Sequence, residues 1–281
     1  MHKKKKRQQV VYFLAASLCV IILIFPIYWM VISSFKTDGE LFAVVPTFFP
    51  KKLTVQGYVK MFGTKFSGQS IVKSFFNSFY ISIITAVITT VLATLSAYGL
   101  ARFNFKINKA LLLIFLIAQM MPTVLFLAPL YLTFKKVGIM GTYFPPAIFV
   151  TLHSVPFSVM MLRPYFLGVP KELEDSAVID GCNKFSSFIR IMLPMIYPGV
   201  VVVAVLSFLW GWGDMVGAMT FCSTGNMQPL SLNMYRAMAN DSTDWAMLMA
   251  FATIIVVPAV VLFLSLQKFI ISGLTAGAVK G

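Results

Sequence analysis

Charge is scarce in this sequence. Of 281 residues only 11% are Asp, Glu, Lys or Arg, against about 25% in an ordinary soluble domain. Together with 59% hydrophobic residues, that shortage excludes disorder, a nucleic-acid module and a normal water-soluble enzyme. Histidine occurs twice and cysteine three times. Cys19, Cys182 and Cys222 lie far apart and form no CxxC, so neither a disulfide framework nor a structural metal site is indicated. No GxxxxGK[ST] loop occurs, because Gly57 to Gly63 followed by Thr64 and Lys65 has the wrong spacing. Gly211, Gly213 and Gly217 follow an apolar run rather than a strand and open no dinucleotide site. Gly213 and Gly217, four apart, read instead as a close helix-packing pair.

Long apolar runs are abundant. A helix needs about 20 such residues to cross a bilayer, and six uncharged runs qualify: 8–35, 74–101, 110–134, 137–162, 191–213 and 245–267. A seventh run, 215–235, has the length but carries Thr220, Asn226, Gln228 and Asn233, whose polar groups are costly in lipid. It reads as a partly helical outer loop. The expected fold is therefore all-α, a polytopic membrane protein of six transmembrane helices. The first run is too long for a signal-peptide core and ends in Pro26, Tyr28 and Trp29, so it reads as a retained helix.

Net charge is +14, and its placement sets the orientation. With both termini cytoplasmic, 14 of the 23 basic residues fall inside, led by Lys3 to Arg7. Trp29, Trp210, Trp212 and Trp245 then all lie at outer span ends, where amphipathic rings settle. Asp and Glu are absent from all six runs, so the buried acid that couples ion-driven transporters is missing. His153, the one ionisable group near a span centre, reads as a packing residue. Energy, if used, must arrive from another polypeptide.

The informative segment is the inner loop 168–194. Pro170 suits a helix start, Glu172, Glu174 and Asp175 favour the positive end of its dipole, and Gly181 stops it. A second amphipathic helix follows, with Phe185, Phe188, Ile189 and Met192 on one face. Such a knuckle can enter a partner's groove or lie on lipid headgroups. Its four acidic residues disfavour the anionic inner leaflet.

The stretch Pro170-Lys-Glu-Leu-Glu-Asp-Ser-Ala-Val-Ile-Asp-Gly181, with Leu193-Pro194, resembles the EAA signature of ATP-binding-cassette importer permeases, in particular the smaller subunit of the maltose-type carbohydrate-uptake group. Asn77-Ser78, Ala97 to Phe103, Pro122, Pro129 to Tyr131, Leu162-Arg163 and the tail Gly273 to Gly281 extend the likeness over nearly the whole chain. The resemblance implies a type I importer permease fold in a bacterial cytoplasmic membrane. It also implies a second permease subunit, an ATPase dimer that holds ATP and Mg, and an extracellular or periplasmic sugar-binding protein. This chain would then have no catalytic residue, metal or cofactor of its own, and no nucleic acid as partner.

The implied organisation is a basic N-terminus 1–9, a six-helix domain 10–272 and a C-terminal tail 273–281, of which Thr275 to Gly281 would touch the ATPase. Lys171, Glu172, Glu174, Asp175, Ser176, Ala177, Asp180 and Gly181 are the implied ATPase-coupling residues; the signature's Glu and first Ala are Asp175 and Ser176 here. Sugars are held by aromatic faces and amide or carboxylate groups, which makes Gln119, Tyr131, Trp210, Trp212, Asp214 and Asn233 the candidate substrate path. The rival is a stand-alone secondary transporter. Asn240-Asp-Ser matches a glycosylation sequon that reads as chance.

Overall fold

A computed structural model describes residues 2–66, 68–223, 227–239 and 244–276, the side chains of 2–8, 268 and 270–276 aside. In chain order the α-helices are α1 (His2–Ser33), α2 (Asp38–Leu41), α3 (Gln56–Gly63), α4 (Ile71–Arg102), α5 (Asn108–Met120), α6 (Leu127–Val137) and α7 (Phe144–Gly168). Then come α8 (Lys171–Ile179), α9 (Lys184–Ser187), α10 (Leu193–Met195), α11 (Tyr197–Gly213), α12 (Val216–Phe221), α13 (Leu230–Met238) and α14 (Trp245–Ala276). A 3-10 turn, Thr123–Phe126, precedes α6, and a π-helical turn, Phe188–Met192, joins α9 to α10. Among the described residues there is no strand, only a bridge between Phe66 and Gln69.

Four stretches are long and apolar enough to cross a membrane: Gln9–Ser33, Ile71–Arg102, Phe144–Gly168 and Trp245–Gln267. Two further spans exist if each bent pair counts as one, which gives the six expected. Asn108–Met120 and Thr123–Val137 meet at 97°, Lys184–Met195 and Tyr197–Gly213 at 79°. The first bend has a local cause. Pro122 pushes Met121 into an extended conformation (φ −76°, ψ 130°) and ends α5. The span expected over 110–134 is therefore broken, and the fourth begins at Phe144 rather than at Val137. Gly138 and Gly141, at φ 78° and 79°, turn the chain between them.

The chain forms two compact units, Met1–Ile71 with Met234–Val257, and Val72–Asn233 with Pro258–Gly281. In the first, the loop after α1 folds back on itself. The buried Lys36 ammonium donates to the Thr47 carbonyl and sits 4.2 Å from the Trp29 ring centre. Glu40 accepts from the Lys51 amide at 2.9 Å. Tyr28 donates to the Phe48 carbonyl at 2.5 Å. Gly57 of α3 lies against the backbone at Ala246, and Lys60, one turn on, pairs with Asp244 and, at 3.6 Å, with Asp38. Burial pushes the Asp244 carboxyl up, but the Lys60 ammonium and the Met247 and Ala246 amides outweigh it and hold it below the usual carboxylate range.

The second unit is built on α4, which carries a buried row of hydroxyls: Ser78, Ser82, Thr85 and Thr89. Ser82 and Thr85 return their protons to carbonyls four residues back, and Thr89 shares a 3.0 Å bond with Ser154 of α7. Small, self-satisfied polar groups let helices approach closely in lipid. Gly211 of α11 exploits this: a Cβ there would stand 3.0 Å from the Ser82 Cα. Gly213, by contrast, has open space at its Cβ. The close approaches are at Gly211 and Gly217, not at a Gly213–Gly217 pair, because Gly213 ends α11 and Gly217 belongs to α12. Apolar side chains pack at both ends of α4. Ile81 packs with Phe149, Phe221 and Leu232, and Ala97 and Tyr98 pack with Phe166, Phe188 and Met192.

Candidate functional site

Local chemistry shapes the knuckle. Helix α8 starts after Pro170, whose ψ of 135° is extended, so the proline precedes the helix rather than occupying its first position. It ends in a Schellman motif: Gly181 stands at φ 87°, the Cys182 amide donates to the Ala177 carbonyl at 2.9 Å, and the Gly181 amide donates to Val178 at 3.1 Å. Asn183 caps α9 by accepting from the Ser186 amide at 2.8 Å. These two caps fix the sharp reversal between α8 and α9.

The eight coupling residues divide by face. Lys171, Glu172, Asp175, Ser176, Asp180 and Gly181 are exposed, beside the apolar Val178 and Ile179; Ile179 is 86% exposed. Ala177 is buried, and Glu174 turns inward. The Glu174 carboxylate accepts from the Tyr98 hydroxyl at 2.5 Å and lies 3.1 Å from Arg102 Nε, with Arg102 and Glu174 side chains only 10% and 14% exposed. Arg102 Nε pairs by charge rather than along its N–H direction. The guanidinium's Nη2 donates to the Val169 carbonyl at 2.8 Å and reaches Met192 Sδ at 3.7 Å. Tyr98 also lies 4.8 Å, ring to ring, from Phe188. Sequence reasoning missed Tyr98 and Arg102 as functional. The available signal was their spacing of four at the end of α4, which puts both on one face.

Only two of the six substrate-path candidates come together. Trp210 and Asp214 line a cavity of about 410 Å³ with Thr123, Phe149, His153 and residues 213–216. His153 is exposed there, its ring centre 5.4 Å from Trp210, and Phe157 meets Trp210 edge-on at 5.3 Å. Trp212 is buried instead, stacked on Phe208 and edge-on to Phe75, and it does not line this cavity. Asn233 is buried and donates to Ser74 Oγ at 2.6 Å. Asn77 likewise donates to the Gln228 carbonyl at 3.1 Å, and Ser78 accepts from the Leu230 amide at 2.8 Å. Three groups of the seventh run, the Gln228 carbonyl, the Leu230 amide and the Asn233 side chain, are thus engaged by the start of α4. Gln119, near Met160 Sδ at 3.7 Å, and Tyr131 are exposed and line no part of this cavity.

Asp214 bears on α12. Its Oδ1 accepts from the Gly217 amide at 3.2 Å and its Oδ2 is buried. Burial pushes the carboxyl up to about 6, against the pull of the Gly217, Ala218 and Val216 amides. A carboxyl that titrates near 3.8 when unfolded and near 6 when folded stabilises the fold most in acid, and that contribution is lost as pH rises through 6. Asp214→Asn keeps the acceptor and removes the titration. Its thermal midpoint is expected to match the wild type at pH 4 and to exceed it at pH 7.5, reflecting a stability difference of at most about 3 kcal/mol. Superimposable pH profiles would refute the burial argument.

Among the described residues, no three His, Cys, Asp or Glu side chains converge where an ion could sit. The tail contact expected for 275–281 and the sequon at 240–242 lie outside the described side chains.

The chain is similar to known proteins in sequence and in fold. Residues 90–275 match the family model described as "Binding-protein-dependent transport system inner membrane component". The chain is 30% identical over 261 residues to the diacetylchitobiose uptake system permease protein DasC of Streptomyces coelicolor, covering 92% of each. It is 32% identical over 264 residues to the probable ABC transporter permease protein YurM of Bacillus subtilis, covering 94% of this chain and 86% of that one. In fold it is similar to a chain of a bacterial ABC transporter involved in import of the polysaccharide alginate. The TM-score there is 0.76 at 14% identity, over 94% of this chain and 97% of that one.

Proposed function

The chain belongs to the family of binding-protein-dependent transport system inner membrane components, and from that premise we propose its cargo, its partners and its moving part. It is a multi-pass permease subunit. The cargo is a sugar or oligosaccharide, passed to it by an external binding protein. A companion permease supplies the other half of the path, and an ATPase pair holds ATP and Mg and does the hydrolysis, so this chain catalyses nothing and binds no cofactor. Both termini and the 168–194 loop face the cytosol. Support for the cargo comes from a relative named for diacetylchitobiose uptake.

One observation carries the mechanism: α8 presents an exposed face of Asp175, Ser176, Val178 and Ile179 while its opposite face is locked to the end of α4. Apolar side chains flanked by acids at the tip of a capped helix suit a groove in a partner. When ATP closes the ATPase pair, α8 moves with it and the bundle exchanges inward for outward access; the drive is ATP's preference for one of the two states. In proteoliposomes, the full assembly with binding protein is expected to accumulate labelled oligosaccharide only with MgATP. Gradient-driven uptake by this chain alone would restore the rival of a secondary transporter.

For the cargo, the cavity at Trp210 is the proposed contact, with the indole face as platform. Trp210→Ala is expected to lower oligosaccharide-stimulated ATP hydrolysis about 10-fold, the loss of one stacking contact of roughly 1.4 kcal/mol. Unchanged stimulation would remove this chain's cavity from the path.

A further inference from the structure

With the exposed face of α8 assigned to the ATPase, the displacement of a short, glycine-flanked helix must still reach a membrane span. Gly168 precedes α8 and Gly181, at φ 87°, follows it. A loop flanked by such residues can hinge, and a hinged loop absorbs motion instead of passing it on. We propose that Arg102 is the positioning residue that removes this freedom, by joining the whole coupling loop to the last turn of α4.

The Arg102 guanidinium reaches three parts of the loop. One donation, to the Val169 carbonyl at 2.8 Å, holds the chain just before α8. The ion pair with Glu174 at 3.1 Å holds the helix itself. The contact with Met192 Sδ at 3.7 Å touches the π-helical turn by which the loop returns to the bundle. Entry, helix and exit are thus tied to one side chain at the C-terminus of α4. Tyr98, one helical turn earlier, doubles the joint. Its hydroxyl takes the second Glu174 oxygen, and its ring lies against Phe166 and Phe188. From α7, Arg163 Nε points at the Leu100 carbonyl at 3.4 Å, so the neighbouring span is fastened at the same level. A largely desolvated, charge-assisted network of this kind is directional and stiff. Displacement of α8 then moves α4 as well, rather than bending the loop. Glu174 on this account is no docking residue at all, although it sits within the signature.

This role for Arg102 rests on the importer reading, and the test separates the two. Glu174→Gln keeps the shape and the Tyr98 bond but removes the charge that holds Arg102; Arg102→Lys keeps the charge but cannot reach three partners at once. The exchanged pair, Arg102→Glu with Glu174→Arg, restores opposite charge. Each is purified as the full assembly and reconstituted with MgATP, binding protein and a mixture of tritiated chito- and maltooligosaccharides. Three quantities are read: ATPase retained in the complex, hydrolysis with and without loaded binding protein, and sugar moved per ATP hydrolysed. The single variants are expected to keep the ATPase and unstimulated hydrolysis. Their uptake per ATP is expected to fall about 10-fold, within the usual range of a coupling free energy, and the exchanged pair is expected to recover part of it.

A merely stabilising pair would lower the yield of complex and leave sugar moved per ATP unchanged; that result overturns the proposal. So does loss of the ATPase from an otherwise intact complex, which would make Glu174 and Arg102 docking residues. If wild-type uptake proves independent of ATP, the importer reading itself fails.

Discussion

Gly181→Trp is expected to abolish ATP-driven uptake, by about 100-fold or more, while the membrane bundle stays folded. The residue stands at φ 87°, where a side chain costs about 1–2 kcal/mol of strain. A Cβ added here would have nothing within 4 Å in the chain itself, so the first atom of the new side chain meets no obstacle. It projects from the Schellman turn beside Asp180 and Ile179, on the surface assigned to the ATPase. The loss is thus expected at docking: the ATPase should fail to co-purify while the chain's own thermal midpoint changes little. Gly181→Asn, which tolerates the left-handed region and adds little bulk, is the control and should retain most uptake. Wild-type uptake by the Trp variant would remove α8 from the ATPase interface.

Gly57→Leu is expected to cost folded protein rather than activity. A Cβ at this position would stand 2.5 Å from the Ala246 carbonyl oxygen and 2.7 Å from its carbon. Those are backbone atoms, which cannot rotate away as a side chain can. Relief would require α3 to lift from the start of α14, stretching the Lys60–Asp244 pair one turn along. Overpacking without a route of relaxation costs about 3 kcal/mol or more, a large share of the stability of an ordinary domain. The measurement is the thermal midpoint and yield of the detergent-extracted chain. Gly63→Ala, at the end of the same helix, where a Cβ has open space, is the internal control and should be close to neutral. Equal yields for both variants would mean that α3 does not pack on Ala246 in the protein.

Much of the architecture was legible because lipid imposes simple rules on composition. Six uncharged runs were readable as spans, since length and apolarity are all that crossing a bilayer demands. The stop at Gly181 was readable too, since few residues other than glycine tolerate that turn. The break at Met121–Pro122 was in principle visible, because a proline inside an apolar run removes a hydrogen bond. Composition could not distinguish a kink from a right-angle bend. The seventh run, 215–235, was rightly set apart as polar, yet nothing in it revealed that Ser74, Asn77 and Ser78, far away in sequence, would engage it.

The candidate site was legible as a segment but not as a surface. The order of residues through 171–181 determined a short capped helix, its acidic first turn and its abrupt end, all of which depend on neighbours a few positions apart. Which side of that helix faces a partner depends on what lies beneath it, and only tertiary packing decides that. Arg102 and Tyr98 draw Glu174 inward and leave Asp175 outside, although the two acids are adjacent in the chain. The same holds for Trp210 and Trp212. Two residues apart, they carry the same ring and read alike in sequence, yet a rotation of about 200° around α11 turns one toward a cavity and the other into the packing against Phe75. Local order determines which helices form and where they end. Contacts between residues distant in sequence decide which of their faces are free to act.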